Sequence, residues 1–151
     1  MTTTLGDMEI EVFENDCPIH AKNFLNLVEE EMYDDNIFHR VIANFMIQTG
    51  DPTGTGGGSA GNRLEAEPVK YTNKRSYIAM AQSGQGVNGS QFYILVKDSP
   101  HLDNQFPCFA KVIKGMEVAD AISKVKTQKD RPVETVKIIE AKPKAAEAAA
   151  G

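Results

Sequence analysis

Residues 38–48 read Phe38-His39-Arg40-Val41-Ile42-Ala43-Asn44-Phe45-Met46-Ile47-Gln48. The run is rich in aromatic and β-branched side chains and lacks helical spacing, so residues 38–47 read as strand. On either side, residues 76–81, 92–96, 109–113 and 136–139 have the same character and are separated by Gly, Asn, Asp and Pro. Met8, Ile10 and Val12 alternate with Glu9 and Glu11, the period of a strand with one buried face. Two segments break this pattern. Pro18 suits a first helical turn, and Ala21, Phe24, Leu25, Val28 and Met32 fall at helical spacing, which predicts a helix over residues 18–30. Val118, Ala121, Ile122 and Val125 predict a second, shorter helix between Gly115 and Lys126. Many short strands with two helices and no regular alternation give a mainly β chain, an antiparallel barrel or sandwich whose openings the helices cover.

With 151 residues and 41% hydrophobic composition, the chain suits one domain, expected over residues 1–141. Residues 142–151, rich in Ala and Lys, offer nothing large enough to anchor in a core and are expected to be disordered. The balance of 16 basic and 21 acidic residues, with no block of like charge, disfavours nucleic-acid binding. No apolar run is long enough to span a membrane. Cys17 and Cys108 lack the paired spacing of a metal or redox motif, which suggests reduced thiols and a cytoplasmic location.

Several motif matches fail on context. Gly56, Gly58 and Gly61 fit G-x-G-x-x-G, as do Gly84, Gly86 and Gly89. A dinucleotide site needs a strand before the glycines and a helix after them, and neither match has the helix. Residues 57–61 also fit G-x-S-x-G, but the nucleophile elbow requires that same strand-to-helix turn. His20, His39 and His101 are scattered singly, so no metal or other cofactor is expected.

The opening segment places a permanent cation, Arg40, inside an apolar strand. An isolated Arg in a strand ordinarily faces solvent, but the surrounding motifs give it a second reading. Phe38 to Ile42 (F-H-R-V-I) and Phe45 to Gln48 (F-M-I-Q) are followed by G-D-P-T-G-T-G at residues 50–56 and Met80-Ala81. Then come N-G-S-Q-F at residues 88–92, H-L-D at residues 101–103 and F-A-K-V-I-K-G-M at residues 109–116. In this ordered set the chain resembles the cyclophilin family of peptidyl-prolyl isomerases, or rotamases, over nearly all of residues 6–140. The resemblance implies a closed eight-stranded antiparallel β-barrel capped by two helices, acting as a monomer on prolines of unfolded or flexible chains and so assisting protein folding.

By the same resemblance Arg40 is the catalytic residue. Phe45, Met46, Tyr93 and Leu102 would line the proline pocket, and Gln48 would brace Arg40 and bind substrate backbone. Ala81, Gln82, Ser83 and Gln91 would offer hydrogen bonds to residues ahead of the proline, and His39 would sit at the groove's edge. Three positions depart from the family's pattern. His101 stands where Trp is usual, which implies weak cyclosporin binding, since the indole donates a hydrogen bond to that drug. Phe106 replaces a common His and makes that pocket wall apolar, and Gln82 lengthens the usual Asn. A non-catalytic proline-peptide adaptor is the competing reading. Arg40 together with Gln48 favours the enzyme, because an adaptor needs no group specialised for a twisted amide.

Overall fold

The computed structural model describes residues 1–61, 63–83 and 86–143. In chain order it forms β1 (Thr2–Thr3), β2 (Gly6–Asp7), β3 (Glu9–Val12), α1 (Pro18–Glu29), β4 (Arg40–Ile42), β5 (Met46–Thr49) and β6 (Tyr77–Ser83). There follow β7 (Gly86–Leu95), a 3₁₀ turn (Pro100–Leu102), β8 (Cys108–Lys114), α2 (Met116–Ser123), β9 (Thr127–Gln128), β10 (Arg131–Pro132) and β11 (Ile138–Glu140). Both expected helices are present, within a residue or so at α1 and shorter by a turn at the end of α2. The tail expected to be disordered lies, from residue 144 onward, outside the described residues.

Strand pairing is antiparallel throughout, in a six-stranded sheet ordered β3-β8-β6-β7-β5-β4, a three-stranded sheet β11-β1-β2 and a β9-β10 pair. As hydrogen-bonded ladders these sheets are open, whereas the sequence implied a single closed barrel. Residues 38–47, expected as one strand, are a hairpin: β4 and β5 pair in the register Arg40↔Gln48, Val41↔Ile47 and Ile42↔Met46. The chain reverses between them at Asn44, whose φ of 63° is a left-handed conformation that Asn adopts more readily than most residues.

Period-2 alternation sorts the large sheet into two faces. One row of paired residues, Val41, Ile47, Ile94, Ile78 and Ala110, is buried in the main core. Helix α1 covers that face with Ala21, Phe24, Leu27 and Val28. Phe24 stacks among Tyr33, Phe92 and Phe109 with ring centroids 5.1–5.3 Å apart, each buried ring worth about 1.5–3 kcal/mol. The alternate row, Arg40, Gln48, Tyr93, Ala79 and Cys108, looks the other way. There Met46, Ala79, Tyr93, Leu95 and Cys108 form a second, smaller apolar cluster.

Candidate active site

That second cluster is where the expected pocket residues Phe45, Met46, Tyr93, Leu102 and Phe106 meet. Ile42, Phe45, Leu102 and Phe106 pack, partly buried, against Met46 and Tyr93. The hairpin turn delivers Phe45, and the 3₁₀ turn with the loop after it delivers Leu102 and Phe106. Phe106 sets its ring edge-on to Tyr93, centroids 5.7 Å apart at 78°. His101 is exposed and lies 5.4 Å from the Phe45 ring. The result is a shallow apolar floor walled by aromatic rings.

A buried residue that sequence reasoning missed, Asn73, holds the far wall. Its Oδ1 accepts the Tyr93 hydroxyl at 3.0 Å, and its Nδ2 donates to the carbonyls of Leu102 and Phe106, both at 3.3 Å. Its backbone N–H donates to Asp103 Oδ1 at 2.6 Å. Burial pushes the Tyr93 phenol up from its usual range, so it stays a neutral donor. No sequence motif surrounds Asn73. Only an Asn in a polar stretch between apolar runs could have marked it.

The polar edge begins at Arg40. It lies directly opposite Gln48, and Gln48 directly opposite Tyr93, so the guanidinium rises from the same face as the apolar floor. Arg40 is exposed, and among the described residues its side chain makes no hydrogen bond or ion pair. Gln48 does not brace it as expected. The Gln48 amide donates instead to Gln91 Oε1 at 2.9 Å. Gln91, 2% exposed, donates in turn to the carbonyls of Gly56 and Gly58 at 3.0 and 2.7 Å.

Those carbonyls are fixed by Asp51, a second residue the sequence did not reveal. Its carboxylate accepts the backbone N–H groups of Thr53, Gly56 and Gly58 at 2.8, 2.6 and 3.0 Å, and the Thr53 hydroxyl at 2.7 Å. Burial by itself would raise the Asp51 pKa, but these hydrogen bonds outweigh it and lower the pKa to about 2. Gly58 has to be glycine, since a Cβ there would meet Asp51 Oδ1 at 2.2 Å. The glycine-rich segment is thus a loop wrapped on a carboxylate, and among the described residues no helix follows it directly.

His39 is not at the groove's edge. Alternation turns it away from Arg40, and at 7% exposure it lies under the glycine loop, with Nδ1 lacking a partner. Burial lowers its pKa, opposed by Asp51 and Gln91 and helped by Arg131 and Arg40, which favours the neutral ring. Ala81 is half-buried, while Gln82 and Ser83 are exposed at the end of β6. Gln82 donates to the Gln105 carbonyl at 3.0 Å and ties this strand end to the loop that carries Phe106. A separate groove of about 660 Å³, between α1, β3 and residues 140–143, contains none of these side chains.

Chemically, the site offers an uncommitted permanent cation beside an apolar floor, with amide side chains between them. The one thiol near it, Cys108, is buried with its pKa raised to about 12, so it is no nucleophile. Such a site suits the stabilisation of a partial negative charge or lone pair on an apolar ligand.

Comparison with known proteins agrees. A family model described as cyclophilin type peptidyl-prolyl cis-trans isomerase/CLD matches residues 1–143. The chain is 43% identical over 147 residues to peptidyl-prolyl cis-trans isomerase-like 1 of Aspergillus oryzae, covering 93% of this chain and 91% of that protein. It is 44% identical over 145 residues to peptidyl-prolyl cis-trans isomerase CYP71 of Arabidopsis thaliana, spanning 92% of this chain but only 23% of that longer protein. A crystal structure of a cyclophilin type isomerase from Cryptosporidium parvum, in the presence of the dipeptide Ala-Pro, superposes with a TM-score of 0.81 at 31% identity, covering 93% of this chain and 94% of that one.

Proposed function

The chain belongs to the cyclophilin-type peptidyl-prolyl cis-trans isomerases, and we propose that Arg40 and the floor beside it carry the reaction. Isomerisation breaks no covalent bond. The partial double bond of the amide sets a barrier of about 20 kcal/mol, so a catalyst has only to favour the twisted form. In that form the proline nitrogen regains a lone pair, and a fixed guanidinium donor binds it more strongly than either planar state. Arg40 is the donor, free of competing partners among the described residues. Phe45, Met46, Tyr93, Leu102 and Phe106 receive the proline ring. Gln48, held by Gln91, bonds the substrate backbone, and Ala81, Gln82, Ser83 and His101 border the residues beside the proline.

The observation that carries this reading is the shared row Arg40–Gln48–Tyr93, which sets cation, amide and pocket on one face. That a relative was crystallised in the presence of Ala-Pro supports proline-containing peptides as substrates. Exchange NMR on a short X-Pro peptide tests it: catalytic amounts of protein should produce cis–trans exchange cross-peaks, and binding without exchange would leave only an adaptor.

Three further elements belong to the same reading. A single isomerase domain over residues 1–141 is supported by the family match. A closed eight-stranded barrel is supported if β2 and β3 are counted as one bent strand and β9 and β10 are left aside. The Ile37↔Lys137 bridge, with Phe38 N–H bonded to Val136 O at 2.9 Å, then joins β4 to β11. Action in the cytoplasm as a protein-folding catalyst accords with two free, buried cysteines.

A further inference from the structure

Folding gathers three side chains that play no part in the groove. Cys17 and His20 stand one helical turn apart at the start of α1, in C-x-x-H spacing. Glu67 reaches them from the irregular stretch that leads to β6. Cys17 Sγ lies 3.2 Å from Glu67 Oε1, and His20 Nε2 lies 3.8 Å from the same oxygen. All three donor atoms fall within 4.8 Å of one another. Cys17 and His20 are 2% and 0% exposed, and the Glu67 side chain 4%. The Glu65 carbonyl oxygen, 2.8 Å from His20 Nε2, adds a fourth donor.

Helix capping accounts for part of this. α1 has no side-chain cap of its own, and Glu67 accepts the N–H groups of Ile19 and His20 at 2.9 and 2.7 Å. A cap needs only the carboxylate, however. It leaves unexplained why a thiol and a fully buried imidazole, the latter donating from Nε2 to the Glu65 carbonyl at 2.8 Å, both converge on that carboxylate.

We propose that Cys17, His20 and Glu67, with the Glu65 carbonyl, form a structural site for a zinc-type divalent ion. Tetrahedral zinc, with bonds of about 2.0–2.3 Å to S, N and O donors, places neighbouring ligand atoms about 3.3–3.6 Å apart. The observed 3.2 and 3.8 Å bracket that range, and the 2.8 Å from His20 Nε2 to the Glu65 carbonyl has to open towards it, which side-chain rotation of Cys17 and His20 would supply. Thiolate with imidazole selects zinc-like ions over magnesium or calcium. Without an ion, burial and the Glu67 carboxylate hold the Cys17 thiol well above its usual pKa. Binding forms metal–sulfur and metal–nitrogen bonds: the thiol proton goes to solvent, and the imidazole proton moves from Nε2, where it is donated to the Glu65 carbonyl, to Nδ1. The ion would pin the start of α1 to the stretch that ends at Asn73, the residue organising the pocket wall.

The test uses the full chain, stripped with chelator and reduced, titrated with Co²⁺ and then Zn²⁺. One equivalent of Co²⁺ should give a near-ultraviolet thiolate-to-cobalt absorption and tetrahedral visible bands, both displaced by Zn²⁺. Cys108→Ser should keep the signal, Cys17→Ser should abolish it, and Glu67→Gln should weaken binding at least tenfold. Should Cys17→Ser fail to fold, alkylation of the wild type decides: Zn²⁺ should slow modification of Cys17, read by mass spectrometry, by at least tenfold. No cobalt–thiolate band, a band that survives Cys17→Ser, or Cys17 alkylated equally fast with Zn²⁺ would each overturn the site.

Discussion

Replacing Asp51 with Asn is expected to cost about 3 kcal/mol of stability at neutral pH. The carboxylate is 1% exposed, and its Oδ2 accepts the N–H groups of Gly56 and Gly58. With the Asn oxygen kept on Thr53, the new NH₂ would face those two donors. Two charge-assisted hydrogen bonds are worth about 3–6 kcal/mol together, an upper bound because the loop can relax. A lower figure comes from titration. The folded pKa of about 2 against an ordinary 3.8 corresponds to about 2 kcal/mol favouring the ionised form. Because the folded pKa is depressed, this stability is fully present above about pH 4 and is lost as pH falls towards 2. Urea unfolding of wild type and Asp51→Asn from pH 7 down to 2.5 reads the difference directly. It should be about 3 kcal/mol at neutral pH and shrink by about 2 kcal/mol in acid. A difference below about 1 kcal/mol at pH 7, or one unchanged down to pH 2.5, would refute this account of the loop.

Tyr93→Phe should cost about 1–2 kcal/mol by leaving Asn73 Oδ1 short of its main donor, yet keep kcat/KM within about threefold because the ring stays in the pocket wall; denaturation and a coupled peptide assay check the two halves. Cyclosporin should inhibit His101→Trp more tightly than wild type, because only the indole supplies the expected donor direction; titration showing tight wild-type binding and no gain in the variant would remove that role from position 101. Turnover should be nearly flat from pH 6 to 8, since a guanidinium needs no proton transfer to act and burial moves the His39 pKa down from its usual value; a bell-shaped kcat profile would show a titrating group at work.

The apolar part of the site was legible only through the family resemblance; what the pairing adds is that Met46, Gln48 and Tyr93 share one sheet face, sorted by period 2. The same period turns His39 under the glycine loop, but choosing which face of residues 38–42 is the groove requires the pairing partner, and sequence does not supply it. The hairpin was missed because Asn44 reverses the chain inside an otherwise unbroken apolar run. Strands of two residues, such as Thr2–Thr3 and Thr127–Gln128, are too short to show any period. The β9–β10 turn relies on Lys129 and Asp130 at φ of 51° and 65°, where glycine would have been the signal. Asn73 acts through backbone groups of a loop far away in sequence and Asp51 through those of the irregular loop that directly follows it, and hydrogen bonds of either kind leave no periodic trace.

The most direct test of the catalytic assignment is kcat/KM for Arg40→Ala against wild type on one X-Pro peptide, with melting measured on the same samples. Arg40 is exposed and unpaired among the described residues, so the melting temperature should be almost unchanged. The rate should fall by about two to three powers of ten, which corresponds to about 3–4 kcal/mol of lost transition-state stabilisation. Arg40→Lys should fall nearly as far, because an ammonium lacks the planar donor fork. A well-folded Arg40→Ala with wild-type turnover would contradict the account.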